Sequence, residues 1–162
     1  MRDERSYKTL HEIGIENKNV KVTADPALDL DIADEKLGKA ILKNEGVPSD
    51  KKLLGVSVRK WQNLGSDFET QIANACDYAY EKYGYYTVFL PMQSSRDTAI
   101  MQNIKRKMKH ESAIIKKRYS VEGMLSIIKC FDMCIGMRLH TLIYAAINSV
   151  PLIGLVYDPK IN

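Results

Sequence analysis

The feature that most constrains the fold is a regular alternation of short β-branched runs with helix-like stretches. Several of the runs are apolar almost throughout, which is expected of strands covered on both faces of a sheet. Stretches with helical periodicity lie between most of them, the clearest being 66–83, 96–109 and 120–130. The runs predicted as strands are 20–24, 53–58, 86–90, 112–116, 131–135 and 151–157. The alternation predicts an α/β, Rossmann-like parallel sheet with helices on both faces.

Local signals mark where several of these elements begin and end. Gly84 follows the helical stretch 66–83 and is expected to stop that helix. Ser120 precedes an apolar stretch with Glu122 in its first turn, which predicts an N-cap at Ser120. The segments 17–19 and 46–50 have the composition of loops.

The composition is that of a globular protein. The chain has 162 residues, of which 45% are hydrophobic and 27% charged. We find no apolar run of about 18 residues without charge and no apolar stretch in "MRDERSYKTLHE", so we expect neither a transmembrane helix nor a signal peptide. The three cysteines Cys76, Cys130 and Cys134 are therefore expected to be reduced thiols in a cytoplasmic protein, with Cys130 and Cys134 buried in the core. Cys130 and Cys134 have no His or further Cys at ligand spacing, so no metal site is expected.

The net charge of +4 is concentrated in the run 104–118, "IKRKMKHESAIIKKR". The simplest interpretation is a solvated helix face followed by a strand edge. The alternative is attraction to an anionic partner. No aromatic residues interleave the basic ones, and no nucleic-acid-binding motif accompanies them, so nucleic acid is not an expected partner.

The stretch "GMRLHTL" (136–142) places an Arg and a His between two segments that are both apolar. In an open parallel sheet, ligands bind outside the carboxyl ends of the strands. Arg138 and His140 follow the predicted strand 131–135, and Lys160 follows the predicted strand 151–157. Three cationic or titratable side chains are therefore expected to converge at one edge of the sheet, which suggests an anion site.

The spacing of Arg138 and His140 bears on this site. In an α-helix, residues two apart point roughly 200° apart, whereas in an extended segment they point the same way. A shared ligand therefore requires an extended lead-in, with Leu139 facing the core and the helix beginning near His140 or Thr141. The alternative is that Arg138 is a surface residue and His140 a helix cap.

The segment "GMRLHTLIYAAINSVPLIGLVYDPK" closely resembles the signature region of polysaccharide pyruvyl transferases, most nearly the bacterial cell-wall type. The resemblance continues in "RDERS", "ADPALDL", "LGVSVRKW" and "FLPMQSSRD". It implies transfer of a pyruvyl group from phosphoenolpyruvate onto two hydroxyls of a sugar in a cell-wall or exopolysaccharide precursor, leaving a ketal. It also implies that residues 1–162 form a single Rossmann-like domain. That domain corresponds to the C-terminal, donor-binding half of a GT-B-like fold, with the N-terminal domain and the closing helices outside it.

This resemblance gives the candidate residues their roles. Arg138, Lys160 and Arg59 are expected to bind the carboxylate and phosphate of the donor, and the alternative for Arg59 is a surface arginine that caps a strand. His140 is the candidate acid, since the protonated imidazole is favoured beside a multiply charged anion. Gln93 is expected to orient donor or acceptor. Asp97 has two interpretations, the same orienting role or a first-turn carboxylate favoured by the helix dipole, and Trp61 is expected to pack, with stacking on a sugar as the alternative.

The expected partners are phosphoenolpyruvate and a glycan or lipid-linked saccharide, with no cofactor and no metal. A cytoplasmic location is expected. One interpretation of the basic run 104–118 is that it contacts the inner face of the membrane. Two alternatives stay open. One is a GT-B-type glycosyltransferase or sugar-nucleotide epimerase, although no glycine-rich turn is visible. The other is a non-catalytic donor-binding remnant.

Overall fold

The computed structural model describes residues 1, 3–31, 33–62 and 64–157, which divide into two compact units, 1–31 and 32–162. The first unit contains helix α1 (Glu4–Glu12) and a short 3-10 helix (Pro26–Asp29). Asp3 caps α1 by accepting a hydrogen bond from the Ser6 amide at 2.7 Å.

The predicted strand at 20–24 is wrong. The segment forms isolated backbone hydrogen bonds, from the Thr23 amide to the Met1 carbonyl, from the Met1 amino group to the Lys21 carbonyl and from the Val20 amide to the Asn17 carbonyl. The structure describes no strand in residues 1 and 3–31. The β-branched segment 20–24 therefore has no neighbouring strand with which to form the paired backbone hydrogen bonds of a sheet.

The second unit is a five-stranded α/β domain. Its helices are α2 (Glu35–Asn44), α3 (Phe68–Tyr83), α4 (Ser94–Lys107), α5 (Val121–Lys129) and α6 (Leu139–Ile147). Its strands are β1 (Lys52–Ser57), β2 (Tyr85–Phe89), β3 (Ser112–Ile114), β4 (Met133–Gly136) and β5 (Leu152–Gly154).

All neighbouring strands pair in parallel, in the order β3-β2-β1-β4-β5. β1 is central, and five of its six residues are buried. The order reverses direction between β1 and β4, so right-handed crossovers place α3 and α4 on one face and α5 and α6 on the other. This confirms the predicted Rossmann-like fold.

Close packing explains two positions along the central strands. A Cβ on Gly55 of β1 would lie 2.1 Å from the ring of Phe131, which is 4% exposed. The Phe131 ring thus packs directly against β1 at Gly55. β4 begins after it, at Met133 and not at the predicted residue 131. β5 is also shorter than the predicted 151–157, and its three residues are exposed.

The predicted helix boundaries hold closely where local chemistry sets them. Gly84 ends α3 with a left-handed φ of 74°. The Ser120 side chain accepts a hydrogen bond from the Gly123 amide at 3.2 Å and caps α5, as predicted. No helix among the described residues is long and apolar enough to cross a membrane.

The three cysteines are unpaired thiols, and burial accounts for their chemistry. Cys134 is buried, as predicted, and so is Cys76, whereas Cys130 is half-buried and the prediction of a buried core thiol there is wrong. Burial raises the pKa of Cys76 to about 11 and that of Cys134 to about 12. Burial likewise raises the pKa of Cys130 to about 11, so none is a ready thiolate at neutral pH.

Candidate functional site

Polar side chains from several loops collect at the carboxyl edge of the sheet. Arg59 follows β1, Gln93 follows β2 and Arg138 follows β4, three strands that are adjacent in the sheet. Parallel strands end at the same edge, so these loops lie side by side. This edge is where open α/β sheets bind ligands.

An ion pair between Arg138 and Asp97 joins two of these loops. The Arg138 guanidinium contacts Asp97 Oδ1 through Nη2, and the same Nη2 lies 3.4 Å from Gln93 Oε1. The Asp97 side chain is 0% exposed and that of Arg138 is 16% exposed. Asp97 Oδ2 also accepts a hydrogen bond from the Gln93 amide at 2.9 Å, so one carboxylate holds both the start of α4 and the guanidinium.

Asp97 is the residue whose importance the sequence did not reveal. The sequence indicates either a ligand-orienting side chain or a first-turn carboxylate, and the structure shows that Asp97 also bonds Arg138, 41 residues further along the chain. The sequence does contain a signal for this contact. An Asp in the first turn after β2 and an Arg after β4 lie at the same edge of the sheet, and only β1 separates those two strands.

The start of α6 differs from the sequence expectation. Arg138 is the N-cap with extended backbone, φ −85° and ψ 125°, but the helix begins at Leu139, so His140 is already helical. The expected extended lead-in carrying both side chains is therefore wrong. The buried Thr141 hydroxyl donates to Ser57 Oγ at 3.1 Å, and this contact sets Thr141 toward the core in place of Leu139, which is half-buried.

His140 is exposed and lies against Tyr144, one turn further along α6. The two rings meet edge to face with centroids 6.1 Å apart. Arg138 instead contacts Asp97 and Gln93. The two side chains thus border the same edge through different neighbours.

Arg59 lies in an aromatic setting. Its guanidinium carbon is 5.1 Å from the ring centroid of Trp61 and 5.9 Å from that of Tyr157. The two aromatic rings meet edge to face at 4.8 Å. Trp61 is half-buried, consistent with the packing interpretation.

A cleft of about 560 Å³, here called the first cleft, opens beside these residues. Its described lining residues are Arg59, Lys60, Trp61, Gln62, Arg96 and Asp97. Three of these are cations, and the single carboxylate, Asp97, is already paired with Arg138. The cleft therefore has excess positive charge, which favours an anionic ligand.

Two guanidinium donors at this edge lack acceptors. Arg59 Nε and Arg138 Nε are both buried and have no hydrogen-bond partner among the described residues. A buried donor without a partner costs about 1–3 kcal/mol. An anion that accepts from either group would remove that cost.

Lys160, predicted as a further cation, lies outside the described residues. The basic residues of the run 104–118 form two separate groups in the structure, because β3 lies between them. Lys105–Lys107 end α4 near the opposite edge of the sheet, whereas Lys116–Arg118 follow β3 at the carboxyl edge. Among the described residues, no cluster of three or more His, Cys, Asp or Glu side chains suits a metal ion.

Comparison with known families agrees with the signature residues. Residues 1–159 match the family model for polysaccharide pyruvyl transferases. The chain belongs to the polysaccharide pyruvyl transferase family. This confirms the family predicted from the Arg-Leu-His and Tyr-Asp-Pro-Lys segments, and it places the chain in a transferase family. No protein with a curated description matches the sequence.

Solved structures share the fold at low sequence identity. The UDP-GlcNAc 2-epimerase of Methanocaldococcus jannaschii, solved with UDP-GlcNAc and UDP, has a TM-score of 0.66 at 18% identity over 95% of this chain and 44% of its own. The S. aureus MnaA–UDP structure has a TM-score of 0.64 at 14% identity, over 92% and 40%. A family 9 glycosyl transferase from Veillonella parvula has a TM-score of 0.59 at 12% identity, over 91% and 40%. The chain thus spans less than half the length of each of these structures.

Proposed function

We propose that this chain is the donor-binding part of an enzyme that transfers a pyruvyl group from phosphoenolpyruvate to two hydroxyls of a saccharide. The observation that carries the proposal is the positive charge at the carboxyl edge of the sheet. There, the Arg138 guanidinium held by Asp97, here called the Arg138 clamp, adjoins the first cleft, which Arg59, Lys60 and Arg96 line. Membership of the pyruvyl transferase family supports the reaction class. The saccharide is proposed to belong to a cell-wall or exopolysaccharide precursor, handled in the cytoplasm and at the inner membrane face.

Phosphoenolpyruvate carries a carboxylate and a phosphate, and each needs fixed cations. The planar fork of Arg138 suits either group, and its orientation is already set by the buried Asp97. Arg59 brings a second guanidinium, held over Trp61. Lys160 is proposed as a third cation from its place in the sequence.

His140 is the proposed acid. Proton transfer from its imidazole to the methylene carbon of phosphoenolpyruvate makes the adjacent carbon electrophilic, and one sugar hydroxyl adds there with loss of its proton. Inorganic phosphate then leaves with the C–O bonding pair. A second hydroxyl adds to the same carbon and releases its proton, which closes the ketal. The exposed position of His140 at the start of α6 supports access to substrate.

Thermal unfolding of the 162-residue chain with phosphoenolpyruvate, inorganic phosphate, pyruvate or a UDP-sugar tests the ligand. A ligand at 100 times its dissociation constant adds about 2.7 kcal/mol to the free energy of unfolding. We expect the largest shift with phosphoenolpyruvate and its loss in Arg138→Lys, which keeps the charge and removes the fork. The matched control is Arg106→Lys, an exposed arginine that contacts Asn103 on its own helix.

A separate assay tests the acid. His140→Gln should abolish phosphate release from phosphoenolpyruvate in an enzyme that holds both substrates, while donor binding is largely kept. Undiminished turnover in His140→Gln would remove His140 from the mechanism.

The second candidate is a nucleotide-sugar enzyme of the same architecture, favoured by the epimerase and glycosyl transferase structures that share this fold. Stronger stabilisation by the UDP-sugar than by phosphoenolpyruvate would support it. A chain that binds phosphoenolpyruvate but transfers nothing would fit the remaining alternative, a donor-binding remnant.

A further inference from the structure

A second cleft of about 560 Å³ opens at the same carboxyl edge, and it shares no described lining residue with the first cleft. It lies between the start of α4, the loop that follows β3 and the adjoining parts of α5 and α6. The lining residues that matter here are Gln93, Ser94, Lys117, Arg118, Met124 and Tyr144.

The charge in this second cleft is positive. Lys117 and Arg118 are exposed on the loop after β3, and none of the described lining residues is Asp or Glu. The first residues of α4 also line the cleft, and the N-cap Gln93 makes no side-chain capping hydrogen bond. First-turn amides add to the attraction of the two cations for an anion.

Glu45 fixes the loop that carries these cations by accepting three hydrogen bonds from it. Glu45 Oε2 accepts from the Lys116 amide at 2.9 Å, and Oε1 accepts from the Lys117 amide at 3.1 Å and from the Tyr119 hydroxyl at 2.7 Å. The carboxylate thus binds backbone and a phenol and interacts with the charge of Lys117 through space, while Lys117 and Arg118 both line the cleft. A fixed backbone reduces the entropy lost when a ligand binds.

The cleft is not uniformly polar. Met92, Met124 and Tyr144 line it together with the basic and hydroxyl side chains. An inorganic anion would leave these apolar surfaces uncovered. A phosphate ester with an organic part would use both.

We infer that the second cleft binds the phosphate or diphosphate ester of the acceptor saccharide, a ligand distinct from the donor. The inference rests on the proposed function, since the acceptor is the second substrate of the transfer. Arg138 stands between the two sites, because one of its acceptors, Asp97, lines the first cleft and the other, Gln93, lines the second. Tyr144 lines the second cleft and contacts His140, which places the proposed acid beside the acceptor.

The test is calorimetric titration of the 162-residue chain with pyrophosphate, inorganic phosphate and glucose 1-phosphate. Lys117→Ala combined with Arg118→Ala should weaken pyrophosphate binding by about tenfold or more, through loss of charge-assisted hydrogen bonds. The matched control is Lys116→Ala. Lys116 is exposed on the same loop and its amide bonds Glu45 as that of Lys117 does, but its side chain does not line the cleft.

The outcomes separate this inference from the proposed function. Equal weakening in Lys116→Ala would overturn it by revealing diffuse attraction. Displacement of pyrophosphate by phosphoenolpyruvate would overturn it by revealing one shared site, whereas donor binding that survives saturation with pyrophosphate supports two. Tighter binding of glucose 1-phosphate than of inorganic phosphate supports an ester, and the reverse order assigns the cleft to the released phosphate and overturns the acceptor assignment. Loss of phosphoenolpyruvate binding alone would count against the donor site only.

Discussion

Two carboxylates serve the two clefts in different ways. Asp97 is fully buried and binds the guanidinium of Arg138 directly, which fixes that cation and offsets part of its charge. Glu45 binds the backbone amides of Lys116 and Lys117, and it acts on the charge of Lys117 only through space, without an ion-pair contact to the Lys117 or Arg118 side chain among the described residues. The first arrangement gives a rigid, directional donor, and the second gives a fixed loop with adaptable charges. A planar carboxylate or phosphate suits the first, and a larger phosphate ester suits the second.

The sharpest test of this difference compares equivalent carboxylate-to-amide substitutions. Asp97→Asn should lower the free energy of unfolding by about 3 kcal/mol, because the largely buried Arg138 guanidinium loses its charged partner. Urea denaturation at pH 7 measures the change. A loss under about 1 kcal/mol would mean that the pair is as weak as a surface ion pair, and the distinction between the two carboxylates would fail.

Glu45→Gln should have a smaller effect on stability, about 1 kcal/mol, because an amide oxygen in place of Oε1 still accepts two of the three hydrogen bonds and the position is partly exposed. Its effect on binding should be selective. Pyrophosphate affinity should fall while phosphoenolpyruvate affinity stays within about twofold of wild type. Equal losses for both ligands would show that the loop and the Arg138 clamp are not independent.

The Glu45–Tyr119 contact also gives the loop a defined dependence on pH. Burial alone would raise the pKa of Glu45, but hydrogen bonds from the Lys116 amide, the Tyr119 hydroxyl and the Lys117 amide, together with the positive charge of Lys117, outweigh it and lower the pKa below its usual 4.5. The stabilisation is therefore complete above pH 4.5 and is lost as the pH falls through the lowered value. Unfolding free energies of wild type and Glu45→Gln should converge in that acid range, and a constant gap would contradict the assignment.

The alkaline side has the opposite sign. Burial, followed by the hydrogen bond to Glu45 and its negative charge, raises the pKa of Tyr119 from 10.0 to about 12. The neutral phenol is favoured in the folded chain, so stability is complete below pH 10 and decreases as the pH rises through 12. Tyr119→Phe should lack this decrease. If it retains the full alkaline loss, the titrating group lies elsewhere.

Local chemistry made much of the fold predictable. The Ser120 cap, the Gly84 stop and the buried runs at β1 and β2 are encoded within a few residues, and the structure has them. The segment 20–24 shows the limit of this reasoning. Its composition suits a strand, but strand formation depends on a partner that composition does not specify.

The same distinction explains the candidate site. Arg138 could be placed at a strand end from the local pattern, and the sheet order then determined its neighbours. Its pairing with Asp97 spans 41 residues, and the anchoring of Lys117 by Glu45 spans 72. Contacts at such separations follow from packing and not from sequence spacing. The start of α6 at Leu139 likewise follows from the buried Thr141–Ser57 contact.

The central claim is that the Arg138 clamp, and not the second cleft, holds phosphoenolpyruvate. The most direct measurement is calorimetric titration of phosphoenolpyruvate into wild type, Arg138→Lys and Lys117→Ala. The account predicts binding to wild type, at least about tenfold weaker binding to Arg138→Lys, and less than about twofold change in Lys117→Ala. Equal affinity of wild type and Arg138→Lys, or a larger loss in Lys117→Ala, would contradict it.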